Sequence, residues 1–115
     1  MARVTAEQLT TPHGAEMEEV PIPHLGGDVL VRGLRRSEAL RAQGAEGVGA
    51  VEQRMVSMAM VDPPMTVEQV KAWQESSDAG ELEPVTRVIQ RLSGMEDGAD
   101  KAAYKSVADD ARSGV

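Results

Sequence analysis

The chain contains no cysteine, no phenylalanine and only two histidines in 115 residues. Without thiols there can be no disulfide framework, no thiolate metal site and no cysteine nucleophile, and two histidines are too few for a histidine-rich metal centre. Aromatics are scarce as well, with Trp73 and Tyr104 making up 2% of the chain. Any core must therefore be built from Val, Leu, Ile, Ala and the seven methionines, and in so short a chain it must be thin. Long apolar runs are missing too. A secretory signal needs a basic start and an apolar stretch of about seven residues, and a membrane span needs about 18, and neither pattern occurs. Positive charge is in short supply, with 12 Lys+Arg against 19 Asp+Glu and a formal net charge of −7. The expectation is one small acidic domain in the cytoplasm, without cofactor, membrane or nucleic-acid partner, because phosphate neutralisation needs a basic face.

Residues 1–15 show no sustained alternation or helical period and end in Pro-His-Gly-Ala, which reads as a flexible N-terminal arm. From residue 16 the pattern changes. Val20 and Ile22 fall on one face of an extended segment while Glu19, Pro21 and Pro23 fall on the other, and alternation with proline predicts an edge strand. Gly26-Gly27-Asp28 supplies turn residues, and Val29 to Leu34 resumes as a second strand, so a β-hairpin is expected.

Ser37 is a candidate N-cap for a helical segment starting at Glu38, which the glycines at 44, 47 and 49 then interrupt. After them Val48, Val51, Met55 and Met58 recur at steps of three, four and three, the spacing of an inward helical stripe. That helix is expected to run to Asp62-Pro63-Pro64. Thr66 to Gln69 matches a capping box for a short helix carrying Val67, Val70 and Trp73 inward. A last helix opens between Glu81 and Pro84, buries Leu82, Val85, Ile89 and Leu92, and stops at Gly94. Residues 96–115, rich in Gly, Ala and Asp, read as a disordered or weakly helical tail. The expected fold is a small α+β domain over 16–95, an N-terminal hairpin packed with three or four helices, with flexible ends.

Catalytic and metal chemistry find little support. His13 and His24 have no phasing that would bring them together, and Glu96 to Asp100 lacks the later ligands of a calcium loop. Gly26-Gly27 runs toward a strand and so cannot be a dinucleotide loop. A nucleophile with its base, or a carboxylate pair in two environments, needs a cleft that so small a core leaves little room for, and no enzyme is expected. Arg32, Arg35, Arg36 and Arg41 form the only basic region, with residues 26–49 at net +1, and read as solvated or paired with nearby acids. The methionines carry more. Met60 falls off the helical stripe, and with Val56 and Val67 it outlines a second apolar strip, the mark of a partner or oligomer contact.

The order of these features resembles the tail assembly chaperones of long-tailed bacteriophages, the small proteins encoded just before the tape-measure protein. The resemblance lies in Pro23-His24-Leu25-Gly26-Gly27-Asp28-Val29-Leu30-Val31-Arg32-Gly33-Leu34, in the helix ending at Met60-Val61-Asp62, in Thr66 to Gln74, and in Pro84 to Gly94 with its Ile-Gln-Arg-Leu-Ser-Gly ending, covering about residues 16–95. The chain departs from it in the glycines at 44–49, where the family carries an uninterrupted helix. What the resemblance implies is a non-enzymatic α+β protein that coats the tape-measure protein in the host cytoplasm until tail-tube subunits polymerise around it, and that is absent from the mature virion. It also implies a minority frameshifted product for which residues 96–115 would be the linker. The surface that would cover the partner in that role is expected at Val56, Met60, Met65, Val67 and Trp73, and a homo-oligomer is compatible with it. Two other readings stand beside it, a structural head-tail connector or tail-terminator protein and a small acidic protein-binding regulator.

Overall fold

A computed structural model describes residues 2–95, and the predicted tail and the acidic run at 96–100 lie outside them. The chain forms an α+β fold in which a three-stranded antiparallel sheet, in the order β1, β2, β3, is packed by helices. β1 (Met17–Ile22) and β2 (Gly27–Arg32) make the expected hairpin. Alternation decides its faces: Val20 and Ile22 are buried while Glu19 and Pro21 are exposed. Pro21 sits on an edge strand, where a missing N–H costs least. The reversal is a single 3-10 turn over Pro23–Leu25 closed by Gly26, whose φ of 69° places it in the left-handed region that glycine enters without a Cβ penalty. The second strand thus begins at Gly27, two residues before the expected start.

Two helices follow, divided where the glycines predicted. α2 (Arg36–Gln43) ends at Gly44, and α3 (Ala50–Ala59) starts from Gly49 at φ 74°. The uninterrupted helix implied by the family resemblance is therefore not formed. Ser37 is not the cap of α2. It lies inside the first turn, and the free N–H of Arg35 is taken by the Glu38 carboxylate at 2.9 Å.

α3 ends three residues earlier than expected. Met60 leaves the helix and opens β3 (Met60–Asp62), which pairs with β2 through Val31↔Met60 and Leu30↔Asp62. The expected hairpin is thus a three-stranded sheet, because the central strand offers its second edge to whatever chain passes it. α4 (Val67–Ser76) opens with the predicted capping box, Gln69 N–H donating to Thr66 Oγ1 at 3.1 Å and Thr66 N–H to Gln69 Oε1 at 2.8 Å. α5 (Glu83–Leu92) buries Val85 and Ile89 together with Leu82 at its N-cap, packs Leu92 against the core, and stops before Gly94 at φ 77°.

The core is one cluster, thin as the composition requires, with Val31, Val56, Val70, Val85 and Ile89 fully covered. α5 lies across β1 and β2, and α3 sits centrally, in contact with α2, α4 and α5. The docking of α5 is close at one point. Gly33 faces the α5 backbone so nearly that a Cβ there would lie 2.5 Å from the Leu92 carbonyl oxygen. Just beyond, Leu34 N–H donates to Ser93 Oγ at 2.7 Å and that hydroxyl donates on to the Ile89 carbonyl at 2.6 Å. The N-terminal arm also departs from expectation. It holds a one-turn helix, α1 (Ala6–Thr10), with a complete capping box between Thr5 and Gln8, although it buries no residue.

Candidate interaction surface

The two apolar strips expected on and after the glycine-rich stretch change places in part. Val48, read as the start of the inward stripe, is fully exposed in the turn before α3, and Val51 is 41% exposed. Met55 and Met58 reach the core only in part. The covered face is instead Val56 and Ala59, both at 0%, continued by Met60 at 5%. Val56 and Met60 therefore cannot belong to the partner-binding strip proposed from the sequence, since their apolar surface is already spent on the core. The small Ala59 let this face pack closely, a feature that weighting by large apolar residues hides.

The other three residues of that strip are half-buried. Met65 and Trp73 lean on the core, Val67 sits in the first turn of α4, and Val70 behind it is fully covered. Met65 is also held from behind, its carbonyl accepting from Ser57 Oγ at 2.9 Å. Trp73 is fixed by a polar contact as well as by packing: its Nε1–H donates to Glu81 Oε2 at 2.5 Å. The second oxygen of Glu81 lies 2.8 Å from His24 Nδ1, so the hairpin turn, α4 and the α4–α5 connection meet at one carboxylate. His24 stays largely exposed, its side chain at 61%, yet it has a partner that no local pattern discloses.

Among the described residues after the N-terminal arm, the large apolar side chains that face solvent are Met17 at 58% on β1, Leu25 at 71% in the hairpin turn and Leu40 at 52% on α2, with Val48 and Val51 at α3. The signal for Val48 was present in the sequence, because the glycines on either side take φ of 114° and 74°, which no helix interior tolerates. Beside Val48 opens a cleft of about 550 Å³. One wall is the start of α3 with Gly49, Glu52 and Gln53, another is the end of α4 with Lys71, Gln74 and Glu75, and the third is the α4–α5 connection with Asp78 and Leu82, running into Glu83. Its inner wall is cross-linked by Gln74, whose Nε2 donates to Glu52 Oε1 at 2.8 Å and to the Gly49 carbonyl at 3.3 Å, while its Oε1 accepts from Gln53 Nε2 at 2.8 Å. Four carboxylates and one ammonium group line the cleft, which excludes anionic ligands on charge.

The arginine cluster is largely committed to structure. Arg32 binds Glu38 through two hydrogen bonds, at 2.9 and 2.7 Å, and Arg35 Nη2 donates to the His13 carbonyl at 3.2 Å. The guanidinium, aided by the Arg35 backbone N–H, holds the Glu38 carboxyl down at about 2, and the carboxylate in turn raises Arg32. Among the described residues no group of three or more His, Asp or Glu is placed to hold a metal ion, and no helix is long and apolar enough to cross a membrane. Comparison with protein-family models, with curated proteins and with solved structures finds no match to this chain.

Proposed function

We propose that the chain is a tail assembly chaperone of a long-tailed bacteriophage. It binds the tape-measure protein in the host cytoplasm, keeps it soluble until tail-tube subunits enclose it, and is absent from the finished particle. The observation that carries this reading is the set of exposed apolar side chains Met17, Leu25, Leu40, Val48 and Val51 on a chain of net charge −7. Solvent-facing aliphatics on an acidic body suit a protein that covers apolar helices while its charge keeps the complex dispersed. The resemblance in residues 16–95 names the partner. Each contact would be weak, and many copies along one long chain would raise occupancy through multivalency.

The test is affinity capture of the N-terminally tagged protein from phage-producing cells, read by peptide mass spectrometry, with purified particles analysed in parallel. Capture of one very long helical protein, with this chain absent from particles, supports the proposal, and peptides extending past Val115 would add the frameshifted form. Presence in particles would replace it with a connector or terminator, and capture of one partner of ordinary size with a regulator.

A further inference from the structure

We propose that the cleft between α3, α4 and α5 binds a basic amphipathic helical segment of the partner protein, Val48 meeting its apolar side chains and Glu52, Glu75 and Asp78 its lysines or arginines. Identifying that partner as the coated one rests on the chaperone reading, whereas the chemistry of the segment follows from the cleft. Glu83 is occupied by Arg87 at 2.6 Å, and Glu52 is satisfied only by the neutral amide of Gln74. Glu75 and Asp78 form no ion pair among the described residues, nor does Lys71, so three unneutralised carboxylates oppose one ammonium group. Val48, fully exposed on the lip, sets an apolar side chain beside these acids, so the surface has an apolar and an acidic part side by side.

Lysine and arginine suit both parts at once, because their alkyl stems lie along apolar surface while the charged heads reach the carboxylates. A helix presents such residues beside its aliphatic stripe at three- and four-residue spacing. An open cleft of this size takes side chains from one helical face without enclosing the helix. A second copy of this chain fits poorly, since at net −7 it would bring mostly like charge.

The experiment uses the full chain and a fluorescein-labelled synthetic amphipathic helix with leucines on one face and lysines on the other, read by fluorescence anisotropy. The expected result is binding that weakens as salt rises, with no binding of the same peptide carrying glutamates for lysines. The double variant Glu75→Lys, Asp78→Lys should lose at least about tenfold in affinity, a charge-pair effect. A control with the same change in net charge, Glu16→Lys with Glu19→Lys on the far side of the hairpin, should bind as the parent does. Val48→Ser, which alters no charge, should weaken binding and reads the apolar part if the double variant fails to fold. Equal binding by the double variant and the control overturns the proposal, because it would show attraction to overall charge alone. Full competition by spermidine overturns it too, because the cleft would then accept any polycation. The same variants in the cell-capture experiment separate the two ideas. If the double variant still recovers the long partner, the cleft assignment falls and the chaperone reading stands. If the lysine peptide behaves as expected but no long partner is captured, the chaperone reading falls and the cleft chemistry stands.

Discussion

The indole N–H of Trp73 and the carboxylate of Glu81 lie 2.5 Å apart, and the same carboxylate faces His24 Nδ1 at 2.8 Å. The distant hairpin turn is thereby joined to α4 and the connection that follows it at one group largely withdrawn from water, Glu81 being 14% exposed. Replacing Glu81 by Ala leaves the Trp73 N–H without an acceptor, and a lost hydrogen bond to a charged group costs about 1.5–3 kcal/mol. Because Trp73 is the only tryptophan, its fluorescence reports both the local change and global unfolding. Urea titration of Glu81→Ala should show a lower midpoint and a native-state emission differing from that of the parent. An unchanged native spectrum would mean that the contact does not form in solution.

Gly33 is required by the approach of α5, not by its backbone conformation, since its φ is not among the positive values. A methyl group at 2.5 Å from the Leu92 carbonyl meets backbone, which cannot rotate away, so Gly33→Ala must push the end of α5 off the sheet. The Leu34 to Ser93 hydrogen bond lies at the same place and would be strained with it. The expected loss is about 1–3 kcal/mol, the range for overpacking. Thermal unfolding of Gly33→Ala beside Gly27→Ala, where a Cβ meets nothing, checks this, and equal melting temperatures would refute the close approach.

How much of this was readable in the sequence depended on whether the signal was local. The hairpin faces followed from Val20 and Ile22 alternating with Pro21, and α5 followed from Leu82, Val85 and Ile89 because one stripe alone occupies that helix. The capping box at Thr66 precedes an apolar period and so predicts a helix, while the identical Thr-x-x-Gln pattern at Thr5 has no apolar period after it. β3 could not be read from its own residues. Met60, Val61 and Asp62 are extended because β2 has a free edge beside them, a tertiary cause. For α3, Val51, Met55 and Met58 compete with Val56, Ala59 and Met60, and only the contacts of α3 with three other helices decide between them. The cleft acids, drawn from residues 52 to 83, share no local pattern at all.

That exchange of faces separates stability from binding. Met60→Asp places a charge on a strand residue that is 5% exposed, so it should unfold the domain and abolish the helical circular dichroism signal. Val56→Ala at a fully covered site should lower stability by about 1–3 kcal/mol through lost transfer energy and a cavity. Val48→Asp and Val51→Asp lie on exposed positions and should leave the melting temperature within the small range of surface substitutions, about 0.5 kcal/mol. If Val51→Asp unfolds the chain while Met60→Asp does not, the inward face of α3 is the other one.

Arg32 and Glu38 tie the end of the sheet to the first turn of α2, and their geometry sets how the fold answers acid. The Glu38 carboxyl is held at about 2, below its ordinary 4.5, first by the hydrogen bonds from Arg32 and then by the Arg35 backbone N–H, against the opposing cost of burial. A carboxyl depressed in the folded state binds fewer protons there than in the unfolded chain, so it stabilises the fold fully above pH 4.5. That contribution is lost as the pH falls from 4.5 toward about 2. Glu38→Gln cannot titrate and should be less stable than the parent at neutral pH. Subtracting its unfolding free energy from that of the parent should give a difference that is flat above pH 5 and shrinks below it as the parent carboxyl is protonated. Arg32→Lys keeps the charge but not the two-pronged geometry and should fall between the two. A difference that stays constant down to pH 2 would show that the parent carboxyl owes nothing to Arg32.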